Sequence, residues 1–210
     1  MNLKNIAIIG AGGLGKELAV LIHQINEQKP QWNFIGFYDD TVKESVLNFP
    51  VLGTISSLKR NTTDLHLLLG VGNPQVKREI INALSEEFKF PTLIHPSASI
   101  GLEVNIASGS IISAGCRLTA SIQVGSFVLL NLNSTIGHDV VIGDYCSIMP
   151  GAHISGNVSL QSEVMIGTGA SVLQGIQVGA GAQIGAGAVV INQVETMSTV
   201  VGIPAQPLKR

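Results

Sequence analysis

An aliphatic residue occupies every sixth position through nearly half of this chain, without one interruption. The seventeen positions are Ile94, Ile100, Ile106, Ile112, Leu118, Val124, Leu130, Ile136, Ile142, Ile148, Ile154, Leu160, Ile166, Val172, Val178, Ile184 and Val190. An α-helix repeats its apolar face every 3.6 residues and a half-buried strand every 2 residues. A period of six therefore excludes an ordinary helix or an ordinary sheet strand for this part of the chain.

A six-residue repeat is typical of a parallel β-helix, in which short strands stack coil upon coil. Three hexads would form one triangular coil, so residues eighteen apart should stack directly. The residue two positions before each aliphatic is also small or apolar, as at Ala98, Val104 and Cys116. We expect both positions to point inward and fill the core of a solenoid domain spanning residues 92–192.

The first part of the chain, residues 1–91, has a different pattern. Candidate strands at Asn5–Ile9, Phe34–Tyr38 and Leu65–Val71 alternate with candidate helices, one opening at the glycines after Ile9 and one running from Gln75 to Phe88. Alternating strands and helices predict a parallel sheet flanked by helices. We expect a small α/β, Rossmann-like domain, roughly half the size of a full dinucleotide fold.

Composition narrows the possible partners and the compartment. The net charge of −2 provides no basic surface for nucleic acid, and the absence of a run of 18 apolar residues argues against membrane insertion. We interpret Met1–Leu14 as a first strand and not as a signal peptide. Cys116 and Cys146 fall at small core positions on different faces, so we expect free thiols and a cytoplasmic protein. Residues 193–210 leave the repeat and should form a C-terminal cap or tail.

A glycine motif follows the first strand. Gly10, Gly12 and Gly15 have the spacing of a dinucleotide fingerprint, in which backbone amides at a helix N-terminus approach a phosphate. Asp39 and Asp40 end the next strand, where a carboxylate could bind a ribose hydroxyl. Full NAD binding is disfavoured because a second mononucleotide half is missing. A nucleotide carrying one sugar fits better, and tight packing without a ligand is the alternative.

His138 is the histidine best placed for chemistry. It follows a repeat aliphatic by two residues, near a solenoid corner, and Asp139 is adjacent. An imidazole can remove a proton near pH 7, and a neighbouring carboxylate can fix its tautomer. His23 and His66 are expected to be structural or exposed, and His95, before Pro96, is expected to be a turn residue.

Three more residues could belong to this candidate site, and coil arithmetic points to the first of them. Gly156 lies eighteen residues after His138, so its amide could stabilise an oxyanion on the same corner. Ser147 is a further polar candidate, and Asn131 on the preceding turn could contact a substrate.

At these residues the sequence resembles the bacterial nucleotide-sugar and sialic-acid acetyltransferases that have left-handed β-helices. The resemblance covers essentially the whole chain. It is carried by the segments Ile9–Gly15, Phe37–Asp40, Gly70–Asn73, Ile94–Ala98, Gly137–Asp139, Gly151–Ala152, Gly156–Val158 and Gly202–Ala205.

The resemblance implies a homotrimer with active sites at subunit interfaces, and acetyl-CoA between neighbouring solenoids. It implies that His138 is the catalytic base and Asp139 its partner, with no metal. The residues implied to contact acetyl-CoA are Gly156, Ser147, Gly169 and Ala186. Those implied to contact the nucleotide-linked sugar are Gly10, Gly12, Gly13, Asp39, Asp40, Gly72, Asn73 and Asn131. The chain departs from some family members at Leu14 and Ser147, where those members carry histidines.

These observations predict acetyl transfer from acetyl-CoA to an amino group of a nucleotide-linked sugar. The alternatives are O-acetylation of a sugar or sialic acid, and a non-catalytic nucleotide-binding scaffold trimer. A nicotinamide-dependent oxidoreductase is a weaker alternative. A zinc lyase would need three converging imidazoles, whereas His138 and His153 are fifteen residues apart and should lie on different faces.

Overall fold

A computed structural model describes residues 3–58, 64–84 and 88–208. The chain forms two compact units. The first comprises residues up to Gly72 together with Val76–Pro91, and the second comprises Asn73–Gln75 together with the chain from Thr92 onward.

The first unit contains a parallel sheet with strand order β3-β2-β1-β4. Its elements in chain order are β1 (Lys4–Ile9), α1 (Gly13–Gln28), β2 (Trp32–Tyr38), β3 (Val51–Gly53), a 3₁₀ turn (Ile55–Ser57), β4 (His66–Leu69) and α2 (Pro74–Ala83). Because β1 is central, its carboxyl end lies between those of β2 and β4. That edge is where open α/β sheets bind ligands.

Helix α1 packs through one apolar stripe. Leu18, Leu21, Ile22 and Ile25 are all buried, and their spacing of three and four residues places them on one side of the helix. Gly15 belongs to the same buried face, and a Cβ there would lie 2.1 Å from the carbonyl oxygen of Gly10. Glycine at 15 therefore allows the helix to pack closely on the turn after β1.

The second unit is a solenoid of short parallel strands. These are β5 (Leu93–Ile94), β6 (Ser99–Ile106), β7 (Ile111–Ile112), β8 (Arg117–Val124), β9 (Leu129–Leu130), β10 (Thr135–Ile136), β11 (Val141–Ile142), β12 (Ser147–Ile148), β13 (His153–Ile154), β14 (Ser159–Leu160), β15 (Met165–Ile166), β16 (Ser171–Val172), β17 (Gln177–Val178), β18 (Gln183–Ile184) and β19 (Val189–Val190).

Strand pairing shows the predicted coil length directly. Ile136 pairs with Ile154, Ile142 with Leu160, and Ile148 with Ile166. Each partner is eighteen residues further along the chain, so three hexads make one coil. Each coil has three sides, here called side 1 (β9, β12, β15), side 2 (β10, β13, β16) and side 3 (β11, β14, β17).

The core is filled by the two inward positions of each hexad. Ile148 and Ile166 are fully buried, and so are the small residues Ala152 and Ala170 two positions before a repeat aliphatic. Each buried aliphatic side chain contributes about 1.5–3 kcal/mol through removal of apolar surface from water. Cys116 and Cys146 are buried free thiols within this core.

The segment after the repeat closes the solenoid. Strand β20 (Thr199–Val201) pairs with β18, and β21 (Gln206–Pro207) returns antiparallel to β20. The partner of Gln183 is Thr199, which is sixteen residues away. The eighteen-residue spacing between paired strands is therefore lost after Val190, where the six-residue pattern of the sequence ends.

The observed helices and strands differ from the sequence prediction in three places. Strand β3 and the following 3₁₀ turn were not predicted. Helix α2 ends at Ala83, and Phe88 lies outside it, while residues 85–87 of the predicted helix lie outside the described residues. No helix in the described part of the chain is long and apolar enough to cross a membrane.

Candidate active site

The His138–Asp139 pair lies at the corner between side 2 and side 3. Asp139 has a φ of 58°, and the equivalent corner residues Ser121 and Asn157 have φ values of 53° and 56°. This left-handed conformation is costly for most residues, but Asp and Asn tolerate it. Backbone bonds hold the corner, since the N–H of Asp139 donates to the Ala120 carbonyl oxygen at 3.1 Å and that of Asn157 donates to the His138 carbonyl oxygen at 2.8 Å.

A short hydrogen bond fixes the orientation of the His138 ring. Its Nδ1 lies 2.8 Å from Oδ2 of Asp139, and the two side chains are 55% and 54% exposed. An ionised carboxylate can only accept hydrogen bonds, so Nδ1 carries the proton and donates it. In the neutral ring Nε2 then has a free lone pair, and it is available as a base.

Gly156 lies against the reactive edge of this ring. A Cβ at position 156 would lie 2.5 Å from Nε2 of His138 and 2.6 Å from Cε1. No real side chain fits at such a distance, so glycine is required for the observed position of the imidazole. The structure thus brings together the two residues that the coil arithmetic had paired.

Gly156 is buried, and its amide lacks the partner that amides at equivalent positions have. At equivalent corner positions the amide donates to a side chain: Ser126 N to Asp144 Oδ1 at 2.8 Å, and Ala180 N to Gln161 Oε1 at 3.1 Å. No described residue accepts a hydrogen bond from the Gly156 amide. The amide of Gly156 is therefore an unused donor beside the His138 ring.

Ser147 and Asn131 are buried near side 1. Ser147 on β12 is 0% exposed, and no described atom forms a hydrogen bond with its hydroxyl. Asn131 is 6% exposed and its Oδ1 accepts a hydrogen bond from Leu132 N at 2.7 Å. Within one chain, neither residue is brought to the His138 corner.

Gly169 and Ala186 lie at a different corner, between side 1 and side 2. Both are exposed, and a Cβ at Gly169 would meet nothing within 4 Å. Because side 2 separates this corner from His138, a single chain does not bring the two groups of predicted acetyl-CoA contacts together.

The glycine loop of the first unit has the geometry that the motif predicts. Gly10 has a φ of 100°, and a Cβ there would lie 2.8 Å from the Gly70 carbonyl oxygen. Gly12 is the N-cap of α1 and has no side chain to cover the first turn. Space is open beside both Gly12 and Gly13, which are exposed at the N-terminus of α1.

Both carboxylate oxygens of Asp39 accept hydrogen bonds from the protein itself at this end of the sheet. Its Oδ2 accepts from Ala11 N at 2.8 Å, while Oδ1 accepts from the N–H and hydroxyl of Thr41 and from Val42 N, each at 2.8 Å. Burial would raise the pKa of Asp39, but these hydrogen bonds lower it to about 2. The carboxylate therefore links the glycine loop to the loop after β2. The sequence predicted a ribose contact for Asp39 and did not indicate this structural role.

Asp40 and the loop after β4 complete the edge. Asp40 is exposed, and its Oδ1 accepts from Ile55 N at 2.8 Å. Gly72 and Asn73 lie between β4 and α2. The described residues contain no group of three or more His, Cys, Asp or Glu side chains that could hold a metal ion.

His153 is an exposed solenoid histidine for which no catalytic role was predicted. It lies on side 2, one coil after Thr135, and its Nδ1 is 2.9 Å from the Thr135 hydroxyl oxygen. His153 lies on side 2 and His138 lies at the corner after side 2, so the two are not at equivalent positions, as their fifteen-residue spacing predicts.

Comparison with known proteins identifies relatives of the whole chain. A family model described as the PglD N-terminal domain matches residues 5–84. GDP-perosamine N-acetyltransferase of Escherichia coli O157:H7 is 33% identical over 177 residues, which are 83% of this chain and 79% of that protein.

A solved structure of a related domain has the same fold. The acetyltransferase domain of PglB from Neisseria gonorrhoeae FA1090 superimposes with a TM-score of 0.89 at 37% identity, covering 98% of this chain and 100% of that domain. Its complex with acetyl coenzyme A gives a TM-score of 0.88 at 36% identity, covering 99% and 100%.

These relatives confirm the predicted left-handed β-helix, the small α/β domain before it and the enzyme class. The chain belongs to the hexapeptide-repeat family of bacterial sugar N-acetyltransferases.

Proposed function

We propose that this protein transfers the acetyl group of acetyl-CoA to an amino group on a nucleotide-linked sugar, with His138 as the general base. The observation that carries the proposal is the position of Nε2 of His138 beside Gly156, with Nδ1 bound to Asp139 at 2.8 Å. A base and an unused amide donor at one corner are what attack on a thioester requires.

The relatives support the choice of substrates. One is named for transfer to GDP-perosamine, an amino sugar on a nucleotide. The structure of the PglB domain contains acetyl coenzyme A. The exposed Gly12 and Gly13 at the N-terminus of α1 fit a nucleotide, because amides at a helix N-terminus favour phosphate.

In the proposed reaction His138 Nε2 accepts a proton as the amine forms a C–N bond to the acetyl carbon. Asp139 stabilises the resulting imidazolium, and the Gly156 N–H donates to the oxygen that becomes negatively charged. The C–S bond then breaks, and the proton on Nε2 can pass to the departing thiolate. No acyl-enzyme is needed, since holding both substrates in one site provides much of the rate.

At the nucleotide end we assign different roles to the two aspartates. Asp39 positions the glycine loop, because each of its oxygens already accepts hydrogen bonds from the protein. Asp40 is exposed and uses Oδ1 for a single described bond, so it is the better candidate to contact the sugar of the nucleotide. Gly72 would line the same ligand, and the predicted contact of Asn73 stays a prediction.

The proposed assembly is a homotrimer. Gly169 and Ala186 lie one solenoid side away from His138, and the site would be complete if a neighbouring copy presented its corner to that of His138. Sedimentation of the purified protein tests this assembly, and a monomer with full activity would contradict it. The expected cytoplasmic location also stays a prediction.

A thiol-release assay over amino sugars linked to UDP, GDP, dTDP and CMP tests the function. We expect CoA release with at least one amino sugar, and the product should be an amide. Release with the matching hydroxyl sugars alone would favour O-acetylation. Acetyl-CoA binding without release on any sugar would favour a scaffold.

A further inference from the structure

A cleft of ≈ 380 Å³ lies at the amino ends of β1 and β4. The glycine loop lies at the other end of these strands. The lining residues of the cleft are Leu3, Lys4, Asn5, Asp64, His66 and Lys89. The six residues of β1 separate this cleft from Gly10, a distance of roughly 20 Å at the rise of a β-strand. It is therefore distinct from the proposed nucleotide site and does not depend on the acetyl-transfer proposal.

Strand register places three basic side chains on one face of the sheet. His66 pairs with Ile6 on β1 and forms a bridge to Lys89 on its other side. Paired residues in neighbouring parallel strands point to the same face, and so do residues two apart on one strand. Lys4, two residues before Ile6, therefore shares its face with His66 and Lys89.

The ring of His66 is held in place from two directions. Its Nδ1 lies 3.3 Å from the carbonyl oxygen of Asn5, and its ring meets Trp32 edge-on at a centroid distance of 5.2 Å. Because a carbonyl only accepts, Nδ1 carries the proton in this contact. Nε2 is then the nitrogen that gains a proton, and becomes a donor, when the ring is charged.

Positive charge in the cleft is not balanced by described partners. Neither Lys4 nor Lys89 forms an ion pair with a described residue. Burial lowers the pKa of His66, and the charges of Lys89 and Lys4 lower it further, while hydrogen bonds to Asn5 and Asp64 act in the opposite direction. Asp64 is the one acidic residue in the lining. A bound anion would relieve the repulsion among the three basic groups.

We propose that this cleft binds the phosphate group of a small molecule through Lys4, Lys89 and protonated His66. Phosphate suits the site because its several oxygens can accept from two ammonium groups and an imidazolium at once. Binding and protonation are linked: a bound phosphate favours the charged imidazole, so it should raise the pKa of His66. The charged groups that face His66 in the cleft are Lys4, Lys89 and Asp64.

The test is an NMR titration of the histidine rings with inorganic phosphate, at ionic strength held constant with chloride. We expect phosphate to raise the pKa of His66, because the bound anion favours the charged ring. His23, an exposed histidine on α1, should not respond. A parallel titration with glycerol phosphate distinguishes a phosphate monoester from free phosphate as the ligand.

The double variant Lys4→Met/Lys89→Met should lose at least about tenfold in phosphate affinity, since it removes two charge-assisted contacts. Lys29→Met, an exposed lysine just after α1, is the matched control and should bind as the unmodified protein does. Circular dichroism checks that each variant is folded. A His66 ring that ignores both phosphates, or that responds equally in the double variant, would overturn the proposal.

Discussion

The imidazole of His138 packs so closely on Gly156, one coil further along, that a Cβ at 156 would lie 2.5 Å from Nε2. The contact is made across stacked coils, because residues eighteen apart are neighbours in this solenoid. The same stacking that builds the core thus sets the distance between the proposed base and the proposed oxyanion donor.

Gly156→Ala should test whether the close contact between His138 and position 156 matters for turnover. The added methyl must push the imidazole away from its position over the corner, so we expect turnover to fall by about 10²-fold, as expected when a base is misplaced. Ser162→Ala, at the equivalent position of another corner, is the control and should keep full turnover. Steady-state thiol release measures both. Normal turnover in Gly156→Ala would show that the close contact has no role.

Asp139→Asn should lower turnover while leaving the corner intact. Asn tolerates the φ of 58° at this position, but it carries no charge to stabilise the imidazolium. We expect a loss of about 10–10³-fold in kcat. Asp139→Ala should in addition destabilise the corner by about 1–2 kcal/mol. If Asp139→Asn is fully active over the whole pH range, the carboxylate is only a turn residue.

Asp39→Asn should destabilise the first unit. An amide presents one oxygen and one NH₂ group, so at least one of the N–H groups that now face Asp39 loses its acceptor, at a cost of about 1–3 kcal/mol. Denaturant unfolding measures the difference. We also expect weaker nucleotide binding, because the bond to Ala11 positions the glycine loop.

The same carboxylate predicts a pH dependence of stability. Its folded pKa of about 2 lies below the ordinary value of 3.8, so the charged form is favoured by folding. Its contribution is therefore complete above the unfolded pKa, near pH 4, and is lost as pH falls toward 2. Unfolding curves from pH 6 to pH 2 should show a smaller acid loss in Asp39→Asn than in the unmodified chain. Parallel curves would contradict the assignment.

Ile148→Ala should cost about 2–5 kcal/mol, since it leaves a cavity in the solenoid core. Ile148 is 0% exposed and lies between Leu130 and Ile166 in the stack. Gln123→Ala, on an exposed outward position of β8, is the control and should change stability by less than about 0.5 kcal/mol. Equal losses in the two variants would contradict the inward assignment of the repeat.

The solenoid could be predicted in detail because each hexad repeats the same local environment. The pairing of His138 with Gly156 followed from that period alone. Strand β3 could not be predicted, because Val51–Gly53 is too short to show alternation and follows Pro50. Its identity depends on pairing with β2, which is a tertiary contact.

The candidate site was predictable where it follows the backbone and less so where it depends on side-chain packing. Glycine spacing indicated the turn between β1 and α1. The burial of Ser147 was not predictable, because an outward position on a strand is covered or exposed according to what packs against it. The hydrogen bonds of Asp39 likewise join two loops that are distant in sequence.

The most direct test of the proposed mechanism is turnover of His138→Ala with the amino-sugar substrate that the panel identifies. Removal of the base should lower kcat by about 10²-fold or more, while acetyl-CoA affinity, measured by calorimetry, and the melting temperature stay near those of the unmodified protein. Turnover close to that of the unmodified enzyme would contradict the assignment of His138 as the base.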